Sequence, residues 1–562
     1  MTGITERMLR GFVFFERSER NFLKHADFDP FKEEDPRLVT NEVLEKFEQV
    51  YLERSGVKQP MSELAQHPIH LFFEQIRQGL KRQEQQLRTA QARYRQQVLD
   101  FAHRAYRRPL TTREQSELGD FFDKLATQPD QGVEVAVRAT LVRILVSPHF
   151  GCHIVPAADG NGVQPLRDLD LASRLSFFLW SSIPDQELLA VAESGKLRDE
   201  VQLRQQIRRL VADERVADFA REFFGQWLGY RDFPQREAID RAVFKDFDDS
   251  LRDALYEEPT QLAAHLIRTD QSILRLLDSN ETFVNRRLAK HYGIAYPEQP
   301  GAGGGQSIKG AATAATAATA ATATAANPAD DWRLVLGLND QGRAGILGMG
   351  VFLAKNSQPQ RTSPVKRGFW VVHHVLGEHI PAPPADVVAL PAKETDTNGK
   401  TIRELLKLHV EDEKCARCHQ RFDDVGLAME GFDPIGRRRT QDLAGRPIDQ
   451  TVRTAAGQEL RGVPDFSRYL LEQRKDDFKI NFCRNLLGFA LGRSLQLSDQ
   501  SLLDEMKLTL DKQGDRFVPL LELVVLSPQF LNQRAKNFTA DDWRRRNSAA
   551  TETTNQSDTG AK

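Results

Sequence analysis

Five residues, Cys415-Ala416-Arg417-Cys418-His419, constrain this chain more than any other stretch. Two thiols at this spacing lie on one helical turn and can add to the two vinyl groups of a haem. The adjacent imidazole then falls beneath the iron as proximal ligand. A C-x-x-C alone is shared by redox dithiols, zinc half-sites and local disulfides. The histidine that follows directly moves the reading to one covalently attached haem c, with Cys415 and Cys418 as thioether positions and His419 on the iron.

The rest of the cysteine inventory fits no disulfide framework. The four cysteines are Cys152, Cys415, Cys418 and Cys483, too few for a disulfide scaffold. No second C-x-x-C exists, so zinc would need further ligands such as His409 and Cys483. Cys483 sits in an apolar helical context and reads as buried and inert. A chain of 562 residues with 40% hydrophobic and 28% charged residues describes an ordinary soluble protein of about three or four domains. Net charge of −2 gives no reason to expect nucleic acid or an anionic membrane. No apolar run approaches the ~20 residues of a membrane span. Near the start, Gly11-Phe12-Val13-Phe14-Phe15 is too short for a signal-peptide core, and Glu16 and Arg17 follow at once. No export signal is therefore read here. Either the start is incomplete or the haem is not attached.

Apolar periodicity predicts an all-α, multi-domain chain. A helical extension spans 1–90. From Leu80, apolar residues recur at Leu87, Tyr94, Val98, Phe101 and Ala105 on one helical face, reading as a solvated helix with one buried side. A helical module covers 91–152, with Thr111-Thr112-Arg113-Glu114 as capping box and a helix over Val133–Val146 that stops at Ser147-Pro148. A helical domain spans 165–294. Asp168 is the expected cap of a helix to Trp180, and Pro184 is expected in the first turn of the next. Longer helices follow at 201–210, 217–228 and 251–267, with Trp180, Phe223, Phe224 and Trp227 as core. Residues 295–331 form a Gly/Ala/Thr-rich linker, read as a repeat-expanded insertion that marks a domain boundary. The haem-bearing domain covers 332–440, with polyproline at Pro381-Ala382-Pro383-Pro384 and a helix over Thr401–Val410. A last helical module spans 452–532, and 533–562 reads as a disordered tail.

Two stretches repeat. Leu141–Phe150, ending Ser147-Pro148-His149-Phe150, resembles Leu521–Phe530, ending Ser527-Pro528-Gln529-Phe530. Upstream, Ala105–Leu110 loosely matches Ala490–Leu495. Both read as copies of one helical module.

Together these segments resemble the planctomycete group of large exported proteins built from several domains of unknown function, one bearing a cytochrome-c-type haem motif. The resemblance covers about 101–530. It rests on Arg104-Ala105-Tyr106-Arg107-Arg108-Pro109-Leu110-Thr111, on Ala172–Ser182 with Gln226-Trp227-Leu228, and on Arg286–Ile294. It continues through Arg361–Gly368, the Cys415–His419 motif, Gly431–Arg437 and Phe489–Arg493. It implies helical modules with a cytochrome-c-like region near the C-terminus, and a periplasmic or otherwise extracytoplasmic location. Longer members carry a further N-terminal cytochrome-like module and a signal peptide, neither of which is read in this sequence. Pro259 is another departure and should kink its helix.

Around the motif, Met429 is the soft donor that could complete the iron's coordination; a buried core methionine is the competing reading. His373, His374 and His409 are alternatives, as is an open sixth position. Arg361, Lys366 and Arg367 form a basic turn that could neutralise haem propionates or simply sit at the surface. Arg437–Arg439 could act in the same way, though a solvated charge run is the simpler reading. Asp423-Asp424 could bind a cation, and Asp433-Pro434-Ile435-Gly436 reads as a turn. The function that follows is electron exchange with a redox protein partner, or a haem-dependent oxidoreductase component. The alternative is an interaction scaffold whose motif holds no haem.

Overall fold

Several helices in this chain begin where a hydroxyl, amide or carboxylate side chain can take the first free backbone amides. Thr111, Asp185, Asp199, Asp248, Asn285, Ser363, Thr401 and Ser527 all do so. The computed structural model describes residues 41–54, 56, 67–128, 132–152, 155–298, 331–381, 390–411, 413–454 and 457–539. The start of the N-terminal extension, most of the Ala/Thr stretch, the polyproline segment after Pro381 and most of the C-terminal tail lie outside these. The described chain is all-α with three short antiparallel strand pairs, and it divides into two compact units, 1–154 and 155–562.

The first unit comprises α1 (Asn41–Arg54), α2 (Pro68–Tyr106), α3 (Thr112–Ala126), α4 (Gly132–Leu145) and α5 (Pro148–Gly151). Of the expected face of α2, Val98 and Ala105 are buried against Phe122, Ala136 and Ile144, with Tyr94 and Phe101 partly buried beside them, while the Leu87 side chain lies outside what is described. Both bonds of the Thr111–Glu114 capping box form.

The second unit begins with β1 (Val163–Pro165), α6 (Asp168–Trp180), α7 (Gln186–Glu193), α8 (Glu200–Ala212), α9 (Val216–Trp227), α10 (Asp249–Arg268), α11 (Arg275–Asp278), β2 (Glu281–Val284) and α12 (Arg286–Tyr292). It continues through β3 (Arg333–Leu336), α13 (Gly350–Lys355), α14 (Pro364–Trp370), α15 (Ile402–His409), α16 (Glu413–His419) and α17 (Asp423–Leu427). It closes with β4 (Thr451–Arg453), β5 (Glu459–Arg461), α18 (Gly462–Gln473), α19 (Lys475–Leu491), α20 (Gln500–Lys512), α21 (Phe517–Leu526), α22 (Pro528–Leu531) and β6 (Asn532–Arg534). One apolar core runs from Leu166 to Phe530. Strand β1 pairs with β6, Val163 opposite Arg534, and so joins the two ends of the unit. Strand β2 pairs with β3, Glu281 opposite Leu336. The segments flanking the Ala/Thr stretch therefore share a sheet and a core, and the composition change there is an insertion within one packed unit.

Two local expectations change. Asp168 does not cap α6; its carboxylate accepts from the Leu197 amide, 2.9 Å away, and ties two loops. Pro184 precedes α7, whose cap is Asp185. Helix α10 runs on through Pro259, the position expected to kink it.

The two copies of the repeat match in detail. Helix α2 ends on Arg107 at φ 58°, and α19 ends on Gly492 at φ 60°. The next arginine grips an acid six residues on: Arg108 holds Glu114 and Arg493 holds Asp499, each through both terminal nitrogens. Each copy ends in a Ser-capped, Pro-initiated turn. They differ in how the final carbonyls are satisfied. In the first, Arg107 itself donates to His149, Phe150 and Cys152. In the second, where glycine has no side chain, Arg174 of α6 donates to Phe530 and Asn532.

Beside α10 lies a buried polar cluster. Glu258 accepts from Tyr292 at 2.5 Å and Thr282 at 2.9 Å, while Arg343 stacks over the Tyr292 ring at 3.6 Å. Burial, outweighing these donors, pushes the Glu258 carboxyl from its ordinary 4.5 to about 7. His291 is pushed the other way, from 6.5 to about 4, by burial. Between pH 4.5 and 7 the unfolded chain ionises Glu258 while the fold keeps it protonated, so this residue removes stability as pH rises, by about 3 kcal/mol once pH exceeds 7. His291 is neutral in the fold and removes stability as pH falls from 6.5 to 4. The opposed slopes mask one another. Glu258→Gln unmasks the histidine: urea unfolding of this variant should gain on the parent steadily from pH 4.5 to 7 and then run parallel to it.

Candidate functional site

The C-x-x-C-H segment forms the short helix α16, followed by one turn and α17. Both cysteines are free thiols and partly exposed. Cys418 packs into a small apolar cluster of Val372, Ile380 and Phe422, lined by Val365, Phe369 and Val425. His419 Nδ1 lies 2.9 and 3.0 Å from the two carboxylate oxygens of Asp423, the first residue of α17. A carboxylate can only accept, so Nδ1 carries a proton and, in the neutral ring, Nε2 presents a lone pair. The ring of Phe422 stands 5.0 Å from that of His419, and the ring of His409, the last residue of α15, stands 4.7 Å away.

Two glycines set this geometry. Gly368 on α14 and Gly426 on α17 lie at the crossing of the two helices. A Cβ on Gly368 would overlap the Phe422 carbonyl, and one on Gly426 would overlap the Pro364 carbonyl. Backbone contact of this kind admits only glycine. It brings Asp423 to a fixed height beside α16.

Among the expected propionate contacts the three cations separate. Arg367 is 1% exposed. Its terminal nitrogens donate to the carbonyls of Met429, Phe432, Asp433 and Leu353 and to Ser357 Oγ. Burial pushes its guanidinium down to about 10. It is an internal strut and reaches no surface ligand. Arg361 is also buried, donating to the carbonyls of Pro391 and Thr362. Lys366 alone is exposed, with long contacts of 3.4 and 3.3 Å to Ser357 and Gln358. Desolvation, with Arg361 and Arg236 nearby, lowers its pKa.

Met429 is buried in the main core with Phe432 and Ile435, apart from the cluster that holds Cys418. His374 Nδ1 faces the Trp227 carbonyl at 2.9 Å, and its own carbonyl accepts from Trp227 and Asn481. His373 stacks on Phe369. Of the alternative ligands, only His409 touches the His419 ring. The Arg437–Arg439 run is not uniformly solvated: Arg439 is buried between Glu394 and Glu430. Burial opposes its charge, but the two carboxylates outweigh this and raise its pKa. The Asp433 turn forms, its carboxylate accepting the amides of Ile435 and Arg437. Cys483 is buried and pushed up to about 12 by desolvation.

Among the described residues no three His, Cys, Asp or Glu side chains converge as metal donors. Neither Asp423-Asp424 nor Cys415, Cys418, His409 and Cys483 makes such a set. Two thiols and one bare imidazole nitrogen beside an apolar wall fit a porphyrin held by its edge and its iron. From its sequence context Asp423 reads only as a cation candidate. Its separation of four residues from His419 was the available signal.

Four stretches match families, each described as protein of unknown function: residues 93–151 (DUF1595), 166–294 (DUF1592), 343–442 (DUF1588) and 456–530 (DUF1585). The chain is therefore a series of domains of unknown function, and the C-x-x-C-H lies within the third. No curated protein and no solved structure matches it. No helix among the described residues is long and apolar enough to cross a membrane.

The distinct settings of the two neighbouring cations give a direct check. Arg367→Lys should lower the unfolding free energy by about 3 kcal/mol or more, because stranded buried carbonyls and a misfitted charge remain. Lys366→Ala should cost less than about 0.5 kcal/mol. Urea denaturation of both variants measures the contrast.

Proposed function

We propose that this chain is an extracytoplasmic c-type haem protein that exchanges electrons with a protein partner. Cys415 and Cys418 hold one haem through thioether bonds, and His419 binds its iron through Nε2. The observation that carries the reading is the His419–Asp423 pair: it commits Nδ1 and leaves Nε2 bare on the helix that bears both free thiols. The bound haem would supply reversible one-electron chemistry. The chain's own residues orient and shield it. Asp423 fixes the imidazole tautomer, while Phe369, Val372, Ile380 and Phe422 offer an apolar wall that excludes water. Exposed Lys366 is the cation of the basic turn with a free reach towards an anionic group. The surrounding helical domains serve as scaffold and docking surface. An extracytoplasmic location rests on the resemblance and on the machinery that installs covalent haem.

Produced with an export signal and a c-type maturation system, the protein should keep a haem stain through denaturing electrophoresis. Cys415→Ala combined with Cys418→Ala should abolish it. Absence of stain in the unaltered protein would overturn the reading and leave an interaction scaffold. Met429→Leu, a swap of similar volume in a packed core, should leave the reduced absorption spectrum unchanged. A shifted spectrum would assign Met429 to the iron.

A further inference from the structure

We infer that Asp423 is a positioning residue that sets the electronic character of the proximal ligand: its buried carboxylate draws the His419 Nδ1 proton, strengthens Nε2 as a donor and holds the iron at low reduction potential. The inference rests on the haem reading above.

Three observations carry it. First, the acceptor is a charged carboxylate and not a backbone carbonyl, and both oxygens lie within 3.0 Å of Nδ1. Second, Asp423 is 7% exposed, and among the described residues His419 is its only ion-pair partner. Its charge is therefore directed at the imidazole in a medium that screens it poorly. Third, a purely structural role does not explain it. Helix α17 has no side-chain cap, so Asp423 is not spent on the free amides at that end. Nor is the pair an exposed contact along one helix, because α16 ends at His419 and the chain turns before α17 begins. The Gly368–Gly426 crossing fixes the height of α17, and so the distance from carboxylate to ring.

The consequence follows from ligand chemistry. A hydrogen bond to a carboxylate gives a metal-bound imidazole part of the character of imidazolate. A stronger donor favours the ferric over the ferrous state and lowers the potential, a lever that second-shell hydrogen bonding supplies in haem proteins.

The test uses the full chain with haem attached. Asp423→Asn keeps an acceptor oxygen and removes the charge; Asp423→Glu restores the charge. The Asn variant should retain its covalent haem stain while its midpoint potential moves upward and its ferrous iron–histidine stretching frequency falls. The Glu variant should return both towards the parent. A stained Asn variant with unmoved potential and stretch overturns the inference while the haem reading stands. An unstained parent chain overturns both. A readout independent of haem guards against a variant that fails to fold. In the unaltered haem-free chain labelled with 15N-histidine, His419 should appear as the Nδ1–H tautomer, and an Nε2–H tautomer overturns the inference.

Discussion

A single buried guanidinium organises the region around the site. Arg367 gathers carbonyl oxygens from Leu353 at the end of α13, from Met429 after α17, and from Phe432 and Asp433 in the following turn. Two of these oxygens also accept a turn amide, Met429 from Phe432 and Asp433 from Gly436, and that of Leu353 accepts the Ser357 hydroxyl, because the chain there is a succession of short helices and turns. Planar, multiply donating and weakly hydrated, a guanidinium can serve several such acceptors at once, which an ammonium cannot. Next to it, Arg439, Glu394, Glu430 and Thr362 form a second buried polar network. The segment between 343 and 442 is thus held by internal charge and hydrogen bonds as much as by apolar contact.

That polar frame explains why the motif residues occur as blocks. In Arg361–Gly368, Ser363 caps α14, Pro364 opens it, Arg367 braces the turn after α17, and Gly368 lets α17 approach. In Gly431–Arg437, Asp433 folds the turn whose carbonyls Arg367 needs. Each block is meaningless without the other. Their joint effect is to place Asp423 against His419, so a structural assembly doubles as the support of the candidate haem ligand.

The repeated module shows the same economy in another form. Both copies need a cation over the carbonyls that close the Ser-Pro turn. One carries it on its own left-handed helix cap, Arg107, where the strained backbone is offset by a side chain that donates to Ala105 as well as to the three carbonyls of the turn. The other uses relaxed Gly492 and borrows Arg174 from α6. The second copy is thereby stitched into its unit, whereas the first closes on itself.

Sequence alone determined the helical character, the capping at Thr111, the core aromatic residues and the thiol-imidazole motif. These depend on spacing within one or two turns, which a linear pattern records. It also located Asp423, but without its role, since the separation from His419 does not say whether two side chains meet across a turn or lie apart on a longer helix. Only the tertiary structure separated buried Arg367 and Arg361 from exposed Lys366, put Met429 in the main core, and joined the flanks of the Ala/Thr stretch through β2 and β3. Those outcomes turn on which distant carbonyls, carboxylates and apolar faces come together. Burial converts an arginine from a surface charge into an internal strut, and no local pattern of residues encodes that partner list.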